Sequence, residues 1–145
     1  MMRIKSHKIA ARLKLQPVFP VCQTALEEWK RRTRFKSCRI RLDNYKTRNW
    51  LDEVLFKRAI INLLEIAAQK SGQRGEIVFT IISERFSSCC IAIDYALTEK
   101  RTGQYEDDMN ARPDGETVEI VSQHRGKIEI VEEKQRGRFL IHLPH

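Results

Sequence analysis

The clearest pattern in the sequence is an apolar stripe that repeats every three or four residues from residue 52 onward. Its members fall on one side of a helical wheel: Leu55, Phe56, Ala59, Ile60, Leu63, Leu64 and Ala67. Such spacing is typical of a helix that buries one face, and it continues to Lys70, where Ser71 and Gly72 interrupt it. The pattern therefore predicts a helix over residues 52–70.

The rest of the chain alternates shorter helical and extended patterns. Apolar residues at helical spacing predict a helix over residues 18–33 and a shorter one at about residues 118–124, and a short basic helix is predicted within residues 3–15. Runs rich in β-branched and aromatic residues predict strands over residues 12–16, 39–43, 76–83, 88–95, 127–132 and 138–143. Polar connections are predicted over residues 44–50 and 98–114, and a turn over residues 135–137.

This order of elements predicts an α+β two-layer sandwich. Helices would cover one face of a mixed, mostly antiparallel sheet in which residues 76–83 and 88–95 form a hairpin and the first of these strands is central. A chain of 145 residues is in the usual range for one domain. We divide it into a basic N-terminal segment, residues 1–11, and a domain over residues 12–145.

Charge is distributed unevenly along the chain, whose formal net charge is +8. Residues 1–48 carry 14 lysines and arginines against three acids, whereas residues 49–145 carry 13 against 16. The densest cluster, here called the basic patch, comprises Lys30, Arg31, Arg32, Arg34, Lys36, Arg39 and Arg41. Such a surface would attract an acidic partner, although a solvated helix end with favourably placed cations explains it equally well.

Membrane and metal-binding classes find little support in the residues. The longest mainly apolar run, residues 59–68, is far shorter than the roughly 20 residues that a bilayer requires, and no secretory signal is recognisable. We therefore expect a cytoplasmic protein without membrane contact. The four cysteines fit neither zinc knuckles nor a disulfide scaffold, so buried, reduced thiols are expected and no metal or other cofactor is predicted.

Several motifs occur in the order that is typical of one protein family. Residues 12–18 match a leading strand, residues 52–67 a helix with the pattern N-L-L-x-N-A, and residues 91–94 a strand that ends in an aspartate. Residues 124–130 and 137–144 are similar to closing strands with the patterns H-G-G-x-I-x-V and G-x-x-F-x-I-x-L-P. Together they resemble the ATP-binding domain of sensor histidine kinases, in the superfamily that includes gyrase, which implies a Bergerat-like fold.

The departures from that family concern its nucleotide site. Ile66 stands where the family has the asparagine that holds magnesium, and an alkyl side chain cannot ligate a hard cation. Ala96 and Thr98 replace the glycines that follow the aspartate. The glycine-rich phosphate loop falls on residues 109–114, where Pro113 removes a backbone N–H donor, and the lid before it is shortened. The resemblance therefore implies loss of ATP hydrolysis and autophosphorylation.

Two positions of the family's site keep the expected residue, Asn62 and Asp94. We interpret Asn62 as a polar residue at the edge of a helix face rather than a vestigial ligand, and Asp94 as a strand-end acid that pairs with a nearby base. With Ile66, Ala96 and Pro113 they make up the vestigial nucleotide-site positions.

The favoured hypothesis for function is a catalytically inactive kinase-like domain that serves as a protein-binding regulatory module in two-component signalling. Its partner would be an acidic protein, such as a response-regulator receiver or a kinase, bound through the basic patch. One alternative is nucleic-acid binding, with Phe35, Tyr45 or Trp50 available for stacking, and another is nucleotide binding without magnesium. Homodimerisation and a helical phosphotransfer hairpin supplied by another chain both stay open.

Overall fold

Three helices and seven strands form the part of the chain that the computed structural model describes, which is residues 10–33, 38–42, 46–72, 75–83, 88–97 and 112–144. The helices are α1 (Val18–Arg32), α2 (Glu53–Lys70) and α3 (Gly115–Gln123). The strands are β1 (Lys14–Pro17), β2 (Cys38–Leu42), β3 (Arg48–Leu51), β4 (Ile77–Ser83), β5 (Cys89–Ala96), β6 (Lys127–Glu132) and β7 (Arg136–Leu143). All three helices predicted from residue 18 onward are confirmed.

The strands form one large and one small sheet. The large sheet has the order β2-β4-β5-β7-β6, with β2 parallel to β4 and every other neighbouring pair antiparallel. In the small sheet β1 pairs antiparallel with β3. The predicted mixed, mostly antiparallel sheet is therefore confirmed, as is the β4–β5 hairpin. Strand β4 is a central strand in the sense predicted, because it lies between β2 and β5 and not at an edge.

Helix α2 is the central element of the helical layer. The Asp52 carboxylate caps its first turn by accepting a hydrogen bond from the Leu55 N–H at 3.1 Å. Its buried face includes almost all of the predicted stripe and extends to Lys70 at the last turn. The helix contacts α1 on one side, α3 on the other and β5 beneath it. Burial of this one helix face thus organises both layers.

The two faces of the large sheet have different chemistry. The inner face, which packs on the helices, includes Phe79, Ile81, Ile91, Ile93, Phe139 and Ile141, all of which are fully buried. On the opposite, outer face the same strands present residues of the other parity, among them Thr80, Asp94 and Arg138. The side of the sheet on which a β5 residue lies therefore decides whether it can reach α2.

One predicted connection contains a strand. Residues 44–50 were expected to be a polar connection, but β3 begins there and pairs with β1. Buried Asn49 and Leu51 alternate with exposed Arg48 and Trp50 along β3. Four residues with a buried polar member are too few for the alternation to stand out in a sequence. The first strand consequently belongs to a separate ribbon and does not extend the large sheet.

Smaller differences concern element boundaries. Strand β7 begins at Arg136, so the predicted turn over residues 135–137 lies slightly earlier, where the Glu133 N–H donates to the Arg136 carbonyl at 2.8 Å. Residues 10–13 are not helical, and the greater part of the expected short basic helix lies outside the described residues. Residues 1–9 and 98–111, which include most of the N-terminal segment and the predicted shortened lid, lie outside the described residues.

A glycine in β7 makes room for an aromatic ring of β5. Gly137 lies directly opposite Tyr95, and a Cβ atom at position 137 would come within 2.2 Å of the tyrosine ring. The ring packs beside Phe139 with a centroid distance of 5.0 Å. Because Tyr95 is almost fully buried, its ring cannot move into solvent without exposing the core.

We predict that Gly137→Ala destabilises the domain by about 2–3 kcal/mol, because the added methyl group overpacks a buried ring. Gly115→Ala is the matched control, since a Cβ there meets no atom within 4 Å. Its effect should stay within about 0.5 kcal/mol. Urea unfolding of both variants measures the difference, and equal effects would contradict this account of the Tyr95 packing.

Candidate functional site

The middle of α2 carries two of the vestigial positions, and both serve packing. The Asn62 side-chain amide donates a hydrogen bond to the Thr117 hydroxyl of α3 at 3.0 Å. Ile66 lies one turn later, half-buried against the hydrophobic core. Asn62 therefore joins two helices, and Ile66 presents only hydrocarbon at the next turn of the same helix.

The start of α3 is capped by its own chain. The Asp114 carboxylate accepts a hydrogen bond from the Thr117 N–H at 2.8 Å, and Pro113 precedes the cap without an N–H to offer. Glu116 adds a second acid in the first turn, with a carboxylate oxygen 3.6 Å from Arg58. Negative charge from the protein itself thus occupies the end of the helix dipole that could attract an anion.

The end of β5 separates Asp94 from the other vestigial positions. Asp94 lies on the outer face of the sheet, opposite Arg138, whose guanidinium donates two hydrogen bonds to its carboxylate. The expected pairing of this acid with a nearby base is thus confirmed. Ala96 lies on the same face and approaches Gly75. The structure therefore does not bring Asp94 together with Asn62.

Tyr95 is the residue that points from the end of β5 toward the helices. Its hydroxyl donates to the Glu132 carboxylate at 3.1 Å, and the Lys70 ammonium approaches the same carboxylate oxygen at 2.7 Å. Burial, together with the negative charge of Glu132, raises the pKa of Tyr95, so this side chain stays a neutral donor. The Lys70 side chain is only 2% exposed. These three side chains form a part-buried polar group, here called the Tyr95 network, which was not predicted from the sequence.

The basic patch divides into two groups among the described residues. Lys30, Arg31 and Arg32 form the last turn of α1, where cations are favourable. Arg39 and Arg41 are exposed on the outer face of the sheet. Two of these cations are paired locally, because Arg32 contacts Glu28 and Arg39 lies 3.0 Å from Glu76. Arg34 and Lys36 lie outside the described residues.

Trp50 is the stacking candidate that the structure describes, since Phe35 and Tyr45 lie outside the described residues. It is 47% exposed on the β1–β3 ribbon, directly opposite Leu15, which is 46% exposed. The Arg48 guanidinium lies on the same ribbon and donates to the Leu15 carbonyl at 3.3 Å. The ribbon therefore presents an exposed apolar pair beside a cation.

His124 connects the end of α3 to the start of α2. Its Nε2 accepts a hydrogen bond from the Asp52 N–H at 2.9 Å, and its Nδ1 lies 2.8 Å from the Ile120 carbonyl. This arrangement requires a neutral ring with its proton on Nδ1. Burial lowers the pKa of His124, and the ring packs against Phe56 with a centroid distance of 5.1 Å.

At the same contact between α2 and α3, the Asp52 carboxyl also favours one charge state. Although partial burial opposes it, hydrogen bonds from the Arg12 and Leu55 N–H groups lower the pKa of the Asp52 carboxyl. Neutral His124 and ionised Asp52 thus hold α2, α3 and the approach to β1 together at neutral pH.

The remaining candidates for chemistry are inert or dispersed. All four cysteines are free, and each is buried, as predicted. Within the described ranges, no three histidine, cysteine or acidic residues come close enough to hold a metal ion. None of the described helices is long and apolar enough to cross a membrane.

We predict that stability falls as the pH decreases through about 6.5, the ordinary histidine value. Because the folded-state pKa of His124 is lowered, the unfolded chain binds the proton first, and the free energy of unfolding decreases toward acid pH. His124→Gln should flatten this slope, because it removes the group that titrates differently in the folded and unfolded chain. Urea unfolding across this pH range tests the prediction, and an unchanged slope in His124→Gln would contradict it.

Comparison of the fold with solved structures places these features in context. No protein-family model matches the sequence, and no curated protein matches it significantly. The chain is similar to the Acinetobacter baumannii histidine kinase AdeS, with a TM-score of 0.71 and 16% identity over 93% of this chain and 68% of the kinase chain. The catalytic domain of the histidine kinase ThkA in a nucleotide-free form matches with a TM-score of 0.71 and 15% identity over 92% of this chain and 95% of that one.

A third match is the histidine kinase ThkA in complex with the response regulator protein TrrA. It has a TM-score of 0.67 and 18% identity over 91% of this chain and 41% of the matched chain. These identities are low, so the matches bear on fold rather than on activity. The described elements therefore have the fold of the ATP-binding, catalytic domain of histidine kinases.

Proposed function

We propose that this domain is catalytically inactive and acts as a protein-binding regulatory module in two-component-type signalling. One observation carries the proposal. At the positions where a kinase of this fold would bind a metal ion and phosphate groups, this chain has side chains that are already engaged with one another. Three separate parts of the region support it, namely α2, the start of α3 and the end of β5.

The magnesium ion that the fold family implies does not fit the residues of α2. Mg²⁺ takes about six oxygen ligands, usually including one or two carboxylates. Asn62 has a carbonyl oxygen, but its amide is bound to Thr117, and Ile66 at the next turn has no oxygen. A single neutral oxygen is far too little to dehydrate this cation, and no step of the proposed function depends on it.

Phosphate groups would meet the N-terminus of α3, which the Asp114 side chain already caps and where acidic side chains are concentrated. The Thr117 N–H that could face a phosphate already donates to Asp114, and Pro113 contributes no donor. A triphosphate here would also lie against the carboxylates of Asp114 and Glu116. Binding would require breaking the cap and overcoming this repulsion.

The side chains at the end of β5 also oppose binding of the purine base of a nucleotide. Asp94 is engaged by Arg138 on the outer face, while the bulky Tyr95 takes the inner-face position beside α2. Its hydroxyl is bound to Glu132, within a network that also holds Lys70. A purine would have to displace this part-buried polar network without replacing its hydrogen bonds.

Acidic receiver domains are the partner class that best suits the remaining surface. A histidine kinase of the same fold, ThkA, forms a complex with a response regulator. Receivers of the resembled signalling systems carry an acidic phosphorylation pocket, which complements Arg31 and Arg41. The exposed pair Leu15 and Trp50 offers an apolar contact of the kind that dominates protein interfaces.

We expect calorimetry with ATP or ADP to show no magnesium-dependent binding. Ile66→Asn, which restores a side-chain oxygen, should still fail to bind, because the Asp114 cap and the Tyr95 network stay in place. Binding by the wild-type chain that requires magnesium would overturn the proposal. Binding that ignores magnesium would instead support the alternative of nucleotide recognition without metal.

We also expect binding of a receiver from a panel of purified response regulators. Arg31→Glu should weaken it by roughly tenfold through lost electrostatic attraction, whereas Lys134→Glu, an identical charge change in the β6–β7 turn, should have little effect. Trp50→Ala should also weaken receiver binding, whereas Val131→Ala, at another exposed apolar residue, serves as the control. If no receiver binds and DNA binds with a steep salt dependence, the nucleic-acid alternative replaces this proposal.

A further inference from the structure

Strand β6 forms one edge of the large sheet, and among the described strands only β7 pairs with it. The Glu133 N–H donates to the Arg136 carbonyl at 2.8 Å, which fixes the phase of the β6–β7 ladder. Because the bonding direction alternates along an antiparallel strand, every second residue of β6 turns its N–H and C=O away from β7. The residues with these outward backbone groups are Ile128, Ile130 and Glu132.

The described part of the chain leaves this edge of β6 open. No described group forms a hydrogen bond with the outward N–H and C=O groups. Helix α3 packs against β6, but the backbone groups of a helix are used within it. An open row of strand N–H and C=O groups is a template for pairing with one more strand.

The two ends of the open edge carry opposite charges. Lys127 begins β6, and Glu133 directly follows its last residue. Both are exposed, and their even spacing along the chain places both on the outer face of the sheet. Neither forms an ion pair with any described residue. An edge that is positive at its start and negative at its end complements a second copy of itself in antiparallel orientation.

One register satisfies both charges. When two copies of β6 pair antiparallel about a twofold axis at Ile130, Lys127 of each copy lies opposite Glu133 of the other. The outward groups of residues 128–132 then bond across the axis, and both helical layers lie on the same side of the joined sheet. Ile130 is half-buried on the inner face and would lie beside its own copy.

Neighbouring registers are less favourable. An axis at Glu129 or Val131 places Glu129 opposite a glutamate, which is repulsive. An axis at Ile128 requires Gly126 to join the ladder, but the Gly126 N–H already donates to a carbonyl of α3 at 2.9 Å. The axis at Ile130 therefore has the best combination of charge and backbone pairing.

The Tyr95 network keeps one acid of this edge from opposing the pairing. With the axis at Ile130, Glu132 lies opposite Ile128 of the second copy. A free carboxylate there would be costly to desolvate. Its carboxylate instead contacts the Lys70 ammonium at 2.7 Å and accepts a hydrogen bond from Tyr95, within its own chain.

We propose that β6 is a self-association edge, through which two copies of this chain pair antiparallel about Ile130 and form one continuous sheet. A second copy is the occupant that we favour, because this edge itself carries both of the charges that the pairing needs. The proposal does not depend on the proposed function, whose partner surface includes Arg31 on α1 and Trp50 on the β1–β3 ribbon.

Sedimentation equilibrium of the full chain tests the association. We expect a reversible monomer–dimer equilibrium with a Kd on the order of 100 µM, because one strand pair lies at the small end of protein interfaces. A chain that is still monomeric at about ten times this concentration would overturn the proposal.

Amide hydrogen exchange identifies the paired edge. Exchange of the Ile128, Ile130 and Glu132 N–H groups should become slower as the protein concentration rises, because these groups then donate to the second copy. Protection that rises on the β1–β3 ribbon instead would overturn the proposal. So would a chain that stays monomeric while a purified receiver protects these three amides, since the edge would then serve a different protein.

A charge exchange tests the register. Lys127→Glu and Glu133→Lys should each weaken dimerisation by roughly tenfold, because each creates two like-charge contacts in a symmetric interface. The double variant should recover the wild-type Kd, although the two residues lie at opposite ends of β6. Arg31→Glu, an equal change of charge on α1, is the control. No recovery in the double variant, or an equal effect of Arg31→Glu, would overturn the proposal.

Discussion

Burial of one face of α2 is the constraint on which the rest of the structure depends. That face contacts α1, α3 and β5 at once, so each layer is positioned by the same helix. Polar groups at its margins then set the orientation of each neighbour. Glu65 accepts a hydrogen bond from the buried Trp29 indole of α1 at 2.8 Å, Asn62 binds α3, and Lys70 reaches β6. The hydrophobic effect supplies the driving force, and these bonds select one arrangement.

On the proposed function, the same polar ties would distinguish this domain from a working kinase of the same fold. A nucleotide site needs polar groups that stay unsatisfied until the ligand arrives. Here the Asn62 amide and the Thr117 N–H are each engaged within the protein. The hydroxyl of Tyr95 is engaged as well. These internal hydrogen bonds support the proposal that the domain does not bind nucleotide, because the same groups would otherwise have to be available to the ligand.

The sequence was sufficient for the long-range organisation but not for the orientation of single residues. The α2 stripe, the β4–β5 hairpin and the closing strands have strong periodicity, so they could be predicted. Strand β3 could not, because four residues give too little alternation. The register of β5 was the more consequential gap, since a shift of one residue exchanges Asp94 with Tyr95 at the inner face. The buried position of Lys70 could have been inferred, because it continues the helical spacing of the α2 stripe.

The free cysteines have a consequence for how this domain responds to oxidants. Burial raises the pKa of Cys38 to about 11 and that of Cys22 as well, so the nucleophilic thiolate is scarce at neutral pH. Neither sulfur is presented to solvent in the folded chain. Alkylation or sulfenic acid formation must therefore wait for opening of the core, and the reactivity of these thiols becomes a measure of how often that opening occurs.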